Sequence, residues 1–420
     1  MLSQCDLSVS TQSSSDRTLL LFDLSARGHH PVYFKHLVKD WSQQQRPGCL
    51  HLVVSPALVK NHPDLIAFST ESTLSRIRFS SITEAEYQTY LRARSLVAKS
   101  FIEWKLFCRY AKRLNPTQAL LMYLDSLQLP LAFGERSPCP VSGIYFRPSF
   151  HYHQFSAHPL SAKEQWRQWR QKAVLARILR RSQFKTLFCL DRFAVPEIQQ
   201  LTQKPILPLA DPVEVPACQP AEVEALRRKL QILPDRHLFL LFGELSGRKG
   251  VYQVLQALKQ LPIETQSQLC LVLAGSVNER DPEIRTEIEQ LKQITQAQIV
   301  LCDRYIKGAE VQQFFELADT VLALYQKHVG MSSILVHAAA AHKPVLSTNY
   351  GLMGAMTQQN QLGQTVDSEN PAAIAKALQA AIAQPIFCKL SKMNQVVDEN
   401  RADQFVSALM SDFLSRCSHE

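Results

Sequence analysis

A chain of 420 residues, 46% hydrophobic and 20% charged, is too long for one ordinary core and suits two domains of roughly 200 residues each. Its apolar content and modest glycine count exclude a disordered or fibrous protein. The net charge of +9 is unevenly held, with 27 Lys/Arg against 16 Asp/Glu up to residue 220 and 19 against 21 beyond it. All the excess lies in the first half, which predicts two units with different partners.

The ten cysteines are scattered, without a Cys-x-x-Cys pair, and most sit in apolar runs. That predicts a reducing compartment, with neither a disulfide framework nor a cysteine zinc site. Residues 1–16 are rich in Ser, Gln and Thr and read as a flexible lead-in. No run approaches the roughly 20 apolar residues that cross a bilayer, so the expectation is a cytoplasmic protein, soluble or peripheral on the inner face of the plasma membrane.

In chain order, Thr18 to Asp23 predicts a strand, Ser25 to Pro31 a loop, Val32 to about Gln44 an amphipathic helix, and Leu50 to Ser55 a second strand. This order opens a parallel α/β unit. Helices are predicted at roughly 84–113 and 162–183, with strands at Ala119–Tyr123, Ser142–Phe146 and Thr186–Leu190. The stretch from Leu207 to Ala221 carries Pro208, Pro212, Pro216 and Pro220, which a helix or central strand would not hold. It divides a first domain at 17–210, through a linker at 211–222, from a second at 223–400. In the second, apolar runs at Leu238–Phe242, Leu269–Ala274, Ala297–Leu301, Thr320–Leu324 and Pro344–Ser347 alternate with helical segments, which predicts a doubly wound parallel sheet. A last helical segment fills 401–420.

Two stretches of the second domain carry chemistry. Leu238 to Gly250 runs from a buried strand through a tight loop holding Arg248 and Lys249. Two cations at a strand's carboxyl end suit a phosphate, Arg248 as a bidentate partner and Lys249 as a point charge; a solvated basic turn is the plainer alternative. Some 80 residues on, Gly330, Met331, Ser332 and Ser333 follow another buried strand and precede an apolar helix. Gly330 permits close backbone approach, either serine suits a helix N-cap, and the free N–H groups favour an anion; a well-capped core helix would look the same. Together the two stretches point to a diphosphate.

The runs Phe242 to Val251, Leu271 to Ser276, Ala318-Asp319 and His337 to Val345 resemble, in content and order, the donor-binding domain of retaining glycosyltransferases of the GT-B fold, the large group called family 4 or group 1. The resemblance covers roughly 235–385; the amino-terminal half is similar mainly in layout. It implies an α/β fold with two Rossmann-like domains facing a cleft and a final helix crossing back to the first domain. It also implies transfer of a hexosyl unit from a nucleoside diphosphate sugar to an acceptor hydroxyl with retention, as in cell-surface glycan or exopolysaccharide synthesis, with no cofactor and no metal.

Carried over residue by residue, the family's diphosphate lysine falls on Lys249 and its anion turn on Gly330, Met331 and Ser332. Its arginine falls on Glu244, and its Glu-x7-Glu pair falls on Val329 and His337, which marks a divergent branch. His337 is left to offer the donor ribose a neutral hydrogen bond. Tyr305 falls on the nucleobase contact, with a core aromatic as the other reading. In the first domain, Gly28 falls in the loop whose backbone approaches the donor phosphate or the transferred sugar, beside His29 and His30, which also read as surface-turn histidines. The catalytic-side histidine falls on His151, with His153 as its rival and an ordinary loop histidine as the plain alternative. Two other functions share this architecture: a nucleotide-sugar 2-epimerase, and a catalytically degenerate relative that binds a sugar nucleotide or a partner.

Residues 161–185 hold eight basic side chains and a single acid, Glu164, together with Trp166 and Trp169. Basic helices carrying tryptophans suit an anionic membrane surface, where a lipid-linked acceptor would be met; inward-packed tryptophans beneath a solvated charged face are the alternative. No nucleic-acid module accompanies the charge, so nucleic acid is not an expected partner.

Overall fold

The computed structural model describes residues 17–44, 46–67, 76–155 and 161–416; the expected flexible lead-in at 1–16 lies outside them. The described residues fall into two compact units, one within Met1–His151, Ala162–Ala210 and Ala402–Glu420, the other within Tyr152–Ser161 and Asp211–Arg401.

The first unit is a seven-stranded sheet of β1 (Thr18–Phe22), β2 (Cys49–Val54), β3 (Ile77–Ser81), β4 (Gln118–Leu121), β5 (Val141–Tyr145), β6 (Phe184–Cys189) and β7 (Ile206–Pro208). The spatial order is β3-β2-β1-β4-β5-β6-β7, and every pairing is parallel. β1 is apolar from Leu19 to Phe22 because helices cover both faces of the sheet: Leu19, Leu20 and Leu21 are all buried. The order reverses between β1 and β4, which places a topological switch point at their carboxyl ends.

The helix Ala402–Arg416 returns to this sheet. Phe405, Leu409, Met410 and Phe413 join Tyr33, Phe34, Leu37 and Trp41 in one apolar cluster. Thr186 donates a 2.7 Å hydrogen bond to Asp412 at the same junction.

The second unit is a six-stranded parallel sheet of β8 (His237–Phe242), β9 (Leu269–Ala274), β10 (Gln298–Cys302), β11 (Thr320–Ala323), β12 (Val345–Thr348) and β13 (Gly363–Val366), ordered β10-β9-β8-β11-β12-β13. Its switch point lies between β8 and β11.

The structure differs from the sequence reading in four elements. The helix expected at 84–113 is two helices, Glu84–Leu91 and Leu96–Leu114, because Ser95 turns extended and caps the second by accepting from Ala98 N at 3.1 Å. The edge strands β3 and β13 were not expected. β3 alternates Ile77 and Phe79 with Arg78 and Ser80, and β13 reads Gly-Gln-Thr-Val, so neither shows an apolar run. The proline-rich stretch does not begin as linker: Ile206–Pro208 pairs with β6 as an edge strand, where a proline's missing N–H is tolerated. Among the described residues no helix is long and apolar enough to cross a membrane.

Candidate functional site

At the switch point of the second sheet, the loop after β8 and the segment after β11 close on one another. Gly250 is in the left-handed region at φ 79°, and a side chain there would meet the carbonyl oxygen of Leu324 at 2.2 Å. Only glycine lets the two segments approach so closely. Gln326 N donates 2.9 Å to the Arg248 carbonyl across the same seam.

The approach buries Lys249, which is 7% exposed. Its ammonium donates to the Phe242 carbonyl at 2.9 Å and to the Tyr325 hydroxyl, and it lies 4.5 Å from the centre of the Tyr325 ring. The Tyr325 hydroxyl shares a 2.7 Å hydrogen bond with Ser332 Oγ. The chain Lys249–Tyr325–Ser332 thus joins the two stretches singled out in the sequence. Arg248 is exposed, with its guanidinium 5.4 Å from the Tyr325 ring centre. Burial first, and the neighbouring Arg248 charge second, bring the Lys249 ammonium down to about 7, against the opposite pull of Glu244. Glu244 itself is exposed. A buried cation in this state gains from any anion that replaces its lost water.

The turn at 330–333 presents backbone rather than side chains. The amides of Gly330, Met331, Ser332 and Ser333 donate to no protein acceptor among the described residues. The expected serine cap is not made. Ser333 is the cap residue of the helix Ile334–Ala340 without a side-chain hydrogen bond, since it has already taken helical dihedrals. Ser332 Oγ lies at the 3.5 Å limit from Ile334 N and is engaged by Tyr325 instead.

His337 is half-buried, stacks on Phe315 with ring centres 5.1 Å apart, and has Nδ1 3.2 Å from Gln312 Oε1. Burial pushes it down to about 4, so it is neutral at ordinary pH. Tyr305 is 78% exposed just beyond β10, which removes the reading of it as a core aromatic.

In the first unit, Gly28 is exposed at φ 66° with nothing within 4 Å of where a side chain would begin, so the loop after β1 is open at that point. His151 corrects the sequence reading. It is completely buried, and its Nε2 lies 2.5 Å from Asp191 Oδ2, which is also sealed from solvent. A histidine so enclosed fastens the Ser149–Phe155 turn to the end of β6 and is not placed to meet a substrate. The side chain of the rival His153 lies outside the described residues.

Sequence reasoning missed Tyr325; its signal was a tyrosine closing a buried strand just ahead of the 330–333 turn. It also missed a cluster at the switch point of the first sheet, built on Asp23, His30 and Tyr123. There the visible signal was an aspartate directly after β1 and seven positions before a histidine.

Residues 222–402 match the family model described as Glycosyl transferases group 1. The lipopolysaccharide 1,2-N-acetylglucosaminetransferase of Salmonella typhimurium is 29% identical over 130 residues, covering 30% of this chain and 34% of that protein. The chain spans about two fifths and one third of the length of two curated relatives it matches. Among solved structures, sucrose-phosphate synthase from Thermosynechococcus elongatus superposes with a TM-score of 0.66 at 14% identity, covering 96% of this chain and 100% of that one. Anabaena Alr3699/HepE in complex with UDP-glucose gives 0.58 at 13% identity, covering 95% and 99%. Such identities establish the fold rather than the substrate: the GT-B fold, built of two α/β domains. Residues 222–402 are therefore similar to the glycosyl transferases group 1 family, within a chain of GT-B fold.

Proposed function

We propose that the protein is a glycosyltransferase that moves a hexosyl unit from a nucleoside diphosphate sugar to an acceptor hydroxyl with retention, in cell-surface glycan or exopolysaccharide synthesis. The observation that carries this reading is the burial of Lys249 beside Tyr325 and the open amides of Gly330 to Ser333. Charge builds on the diphosphate as the sugar leaves. A desolvated cation and fixed N–H groups stabilise that charge without having to reorganise. Arg248 stands at the mouth as a second cation. Tyr305, exposed at the end of β10, is assigned to the nucleobase, and His337, through its free ring edge, to the donor ribose. In the first unit, Gly28 gives the backbone access to the phosphate or the sugar. The reading uses no metal or cofactor.

The acceptor is proposed to be a glycan or lipid-linked molecule met at an anionic membrane surface. Support comes from the helix Ala162–Arg180, where Trp166 and Trp169 are 58% and 65% exposed among Lys163, Arg167 and Arg170. Tryptophans left in water beside cations are costly unless they meet an interface.

A panel of nucleoside diphosphate sugars, each titrated calorimetrically and then incubated with and without glycan acceptors, tests the reading. One donor is expected to bind saturably and to transfer only when acceptor is present. Conversion of a donor to its epimer without acceptor would make the protein an isomerase, and binding with no turnover by any donor would make it a degenerate relative.

A further inference from the structure

A groove on the first unit takes no part in the proposed reaction. It has a volume of about 570 Å³ and is lined by Phe101, Trp104, Lys105, Arg109 and Lys112 of the helix Leu96–Leu114 and by Glu135, just beyond the helix Gln128–Phe133. That volume suits a small ligand or a headgroup, since ligand pockets run from roughly 300 to 1,000 Å³. Trp104 gives it a fixed floor: it is buried, and its Nε1 donates to the Glu135 carbonyl at 3.0 Å, which ties the loop to the helix.

The spacing of the helical residues sets its character. Val97, Phe101, Lys105, Arg109 and Lys112 lie three or four positions apart in turn, so they share one face of the helix. The face begins apolar, with Leu96 and Val97 exposed beside it, and ends cationic. Few acids offset these cations. Lys105 has no hydrogen-bond or ion-pair partner among the described residues. Arg109 pairs with Glu86, and Lys112 lies 3.5 Å from Glu135 with both side chains open to water, so that second pair contributes little.

On the other flank of the loop stand more cations. Arg177 Nε and Arg181 Nη2 each donate to the Ala132 carbonyl at 2.8 Å, and the Arg177 guanidinium lies 4.9 Å from the centre of the exposed Phe133 ring. Burial first, then the charges of Arg177 and Arg136, hold the Arg181 guanidinium below its ordinary range. Cations crowded in this way are relieved by an anion placed near them. Arg177 belongs to the helix Ala162–Arg180, which carries the exposed Trp166 and Trp169 and packs into the same apolar cluster as Trp104 and Leu131.

We propose that this groove seats the phosphate headgroup of an anionic membrane phospholipid, with Lys105, Arg109 and Lys112 around the phosphate and the apolar part of the lipid along Phe101 and Val97. The proposal rests on the membrane reading above and adds to it a defined site for one lipid. Two observations favour a lipid over an acidic protein or a nucleic acid. The cations run into exposed apolar side chains on one helix face, as the head and chains of an amphiphile require, and the neighbouring helix presents tryptophans suited to an interface.

The test is cosedimentation of the full chain with vesicles of phosphatidylcholine alone and of phosphatidylcholine mixed with phosphatidylglycerol. Wild type is expected to bind only the mixed vesicles. Lys105→Gln together with Lys112→Gln is expected to weaken that binding by about tenfold or more, with an unchanged melting curve because both side chains are exposed. Lys105→Gln alone, which breaks no ion pair, is expected to fall between the two. The control carries Lys35→Gln and Lys39→Gln on the helix His30–Gln43, which packs on the opposite face of the sheet. It makes the same change of net charge and is expected to bind within about twofold of wild type. If the mixed vesicles bind wild type and the Lys105/Lys112 variant alike, the groove is not the headgroup site and the tryptophan face stands. Equal losses in that variant and the control would make the attraction diffuse and overturn the proposal. Free glycerol phosphate that binds wild type as tightly, per phosphate, as the vesicles do would make the groove a site for soluble phosphate esters and overturn the lipid assignment. If wild type binds neither vesicle, the membrane reading fails and the headgroup site with it; retention on heparin that the Lys105/Lys112 variant loses would then assign the groove to an acidic macromolecule.

Discussion

Lys249 and Tyr325, 76 positions apart, meet with the lysine ammonium against both the hydroxyl and the face of the tyrosine. The contact fixes the loop after β8 to the segment after β11, which carries the open amides at 330–333; in the proposed function the cation and these amides form one anion-binding surface. Lys249→Ala is expected to lower turnover by about 10²–10³-fold, the usual loss when one fixed transition-state donor is removed. The melting temperature should fall little. Wild-type turnover in the purified variant would remove Lys249 from the site.

Tyr325→Phe isolates the bridge. It keeps the ring under Lys249 and Arg248 but removes the hydroxyl between Lys249 and Ser332. A loss of about 0.5–1.5 kcal/mol in donor binding is expected, read by calorimetry as a several-fold weaker donor. Unchanged affinity would show that the bridge does not order the site.

The acidity of Lys249 gives two pH dependences of opposite sign. In the free protein its ammonium titrates near 7, below the roughly 10.4 of an unfolded chain. The unfolded chain therefore binds more protons between these values, and this group makes the unliganded protein more stable as pH rises through that window. A bound diphosphate raises the lysine's pKa, so donor binding takes up a proton and weakens above pH 7. Titrations of a nucleoside diphosphate sugar at pH 6.5 and 8.5 should differ several-fold in affinity, with proton uptake seen across buffers of different ionisation enthalpy. An affinity constant across that range would contradict the assignment.

His151 is expected to matter to stability rather than chemistry. Removing one partner of its buried pair with Asp191 leaves the other uncompensated, at a cost of about 3–5 kcal/mol. Denaturant unfolding of His151→Ala should show that loss, while the folded fraction keeps its turnover per molecule. A large fall in kcat without loss of stability would return His151 to the active site.

Much of the second unit was legible because its strands are continuous apolar runs and its cations follow one of them directly. Lys249 and the 330–333 turn could be read from 238–250 and 325–334 alone. The Tyr325 bridge could not, since it arises only when β8 and β11 become neighbours in the sheet. His151 was misread because a histidine beyond a strand looks the same in sequence whether it faces solvent or a buried aspartate. The pairing of Asp23 with His30 was missed for a related reason: it depends on the bend between β1 and the following helix, which spacing alone does not specify. The edge strands β3 and β13 escaped because strands with one open side need no apolar run.

The proposed membrane face makes a separate prediction. Replacing Trp166 and Trp169 together with alanine should weaken binding to vesicles containing anionic lipid and leave transfer to a water-soluble acceptor unchanged. Equal vesicle binding by wild type and variant would remove this helix as the contact.

The most direct test of the central claim is calorimetric titration of the nucleoside diphosphate sugar panel into the wild-type chain and Lys249→Ala side by side. One donor is expected to bind the wild type saturably and the variant at least tenfold more weakly. Equal affinity in the two proteins, or no saturable donor for the wild type, would contradict a diphosphate site built on Lys249.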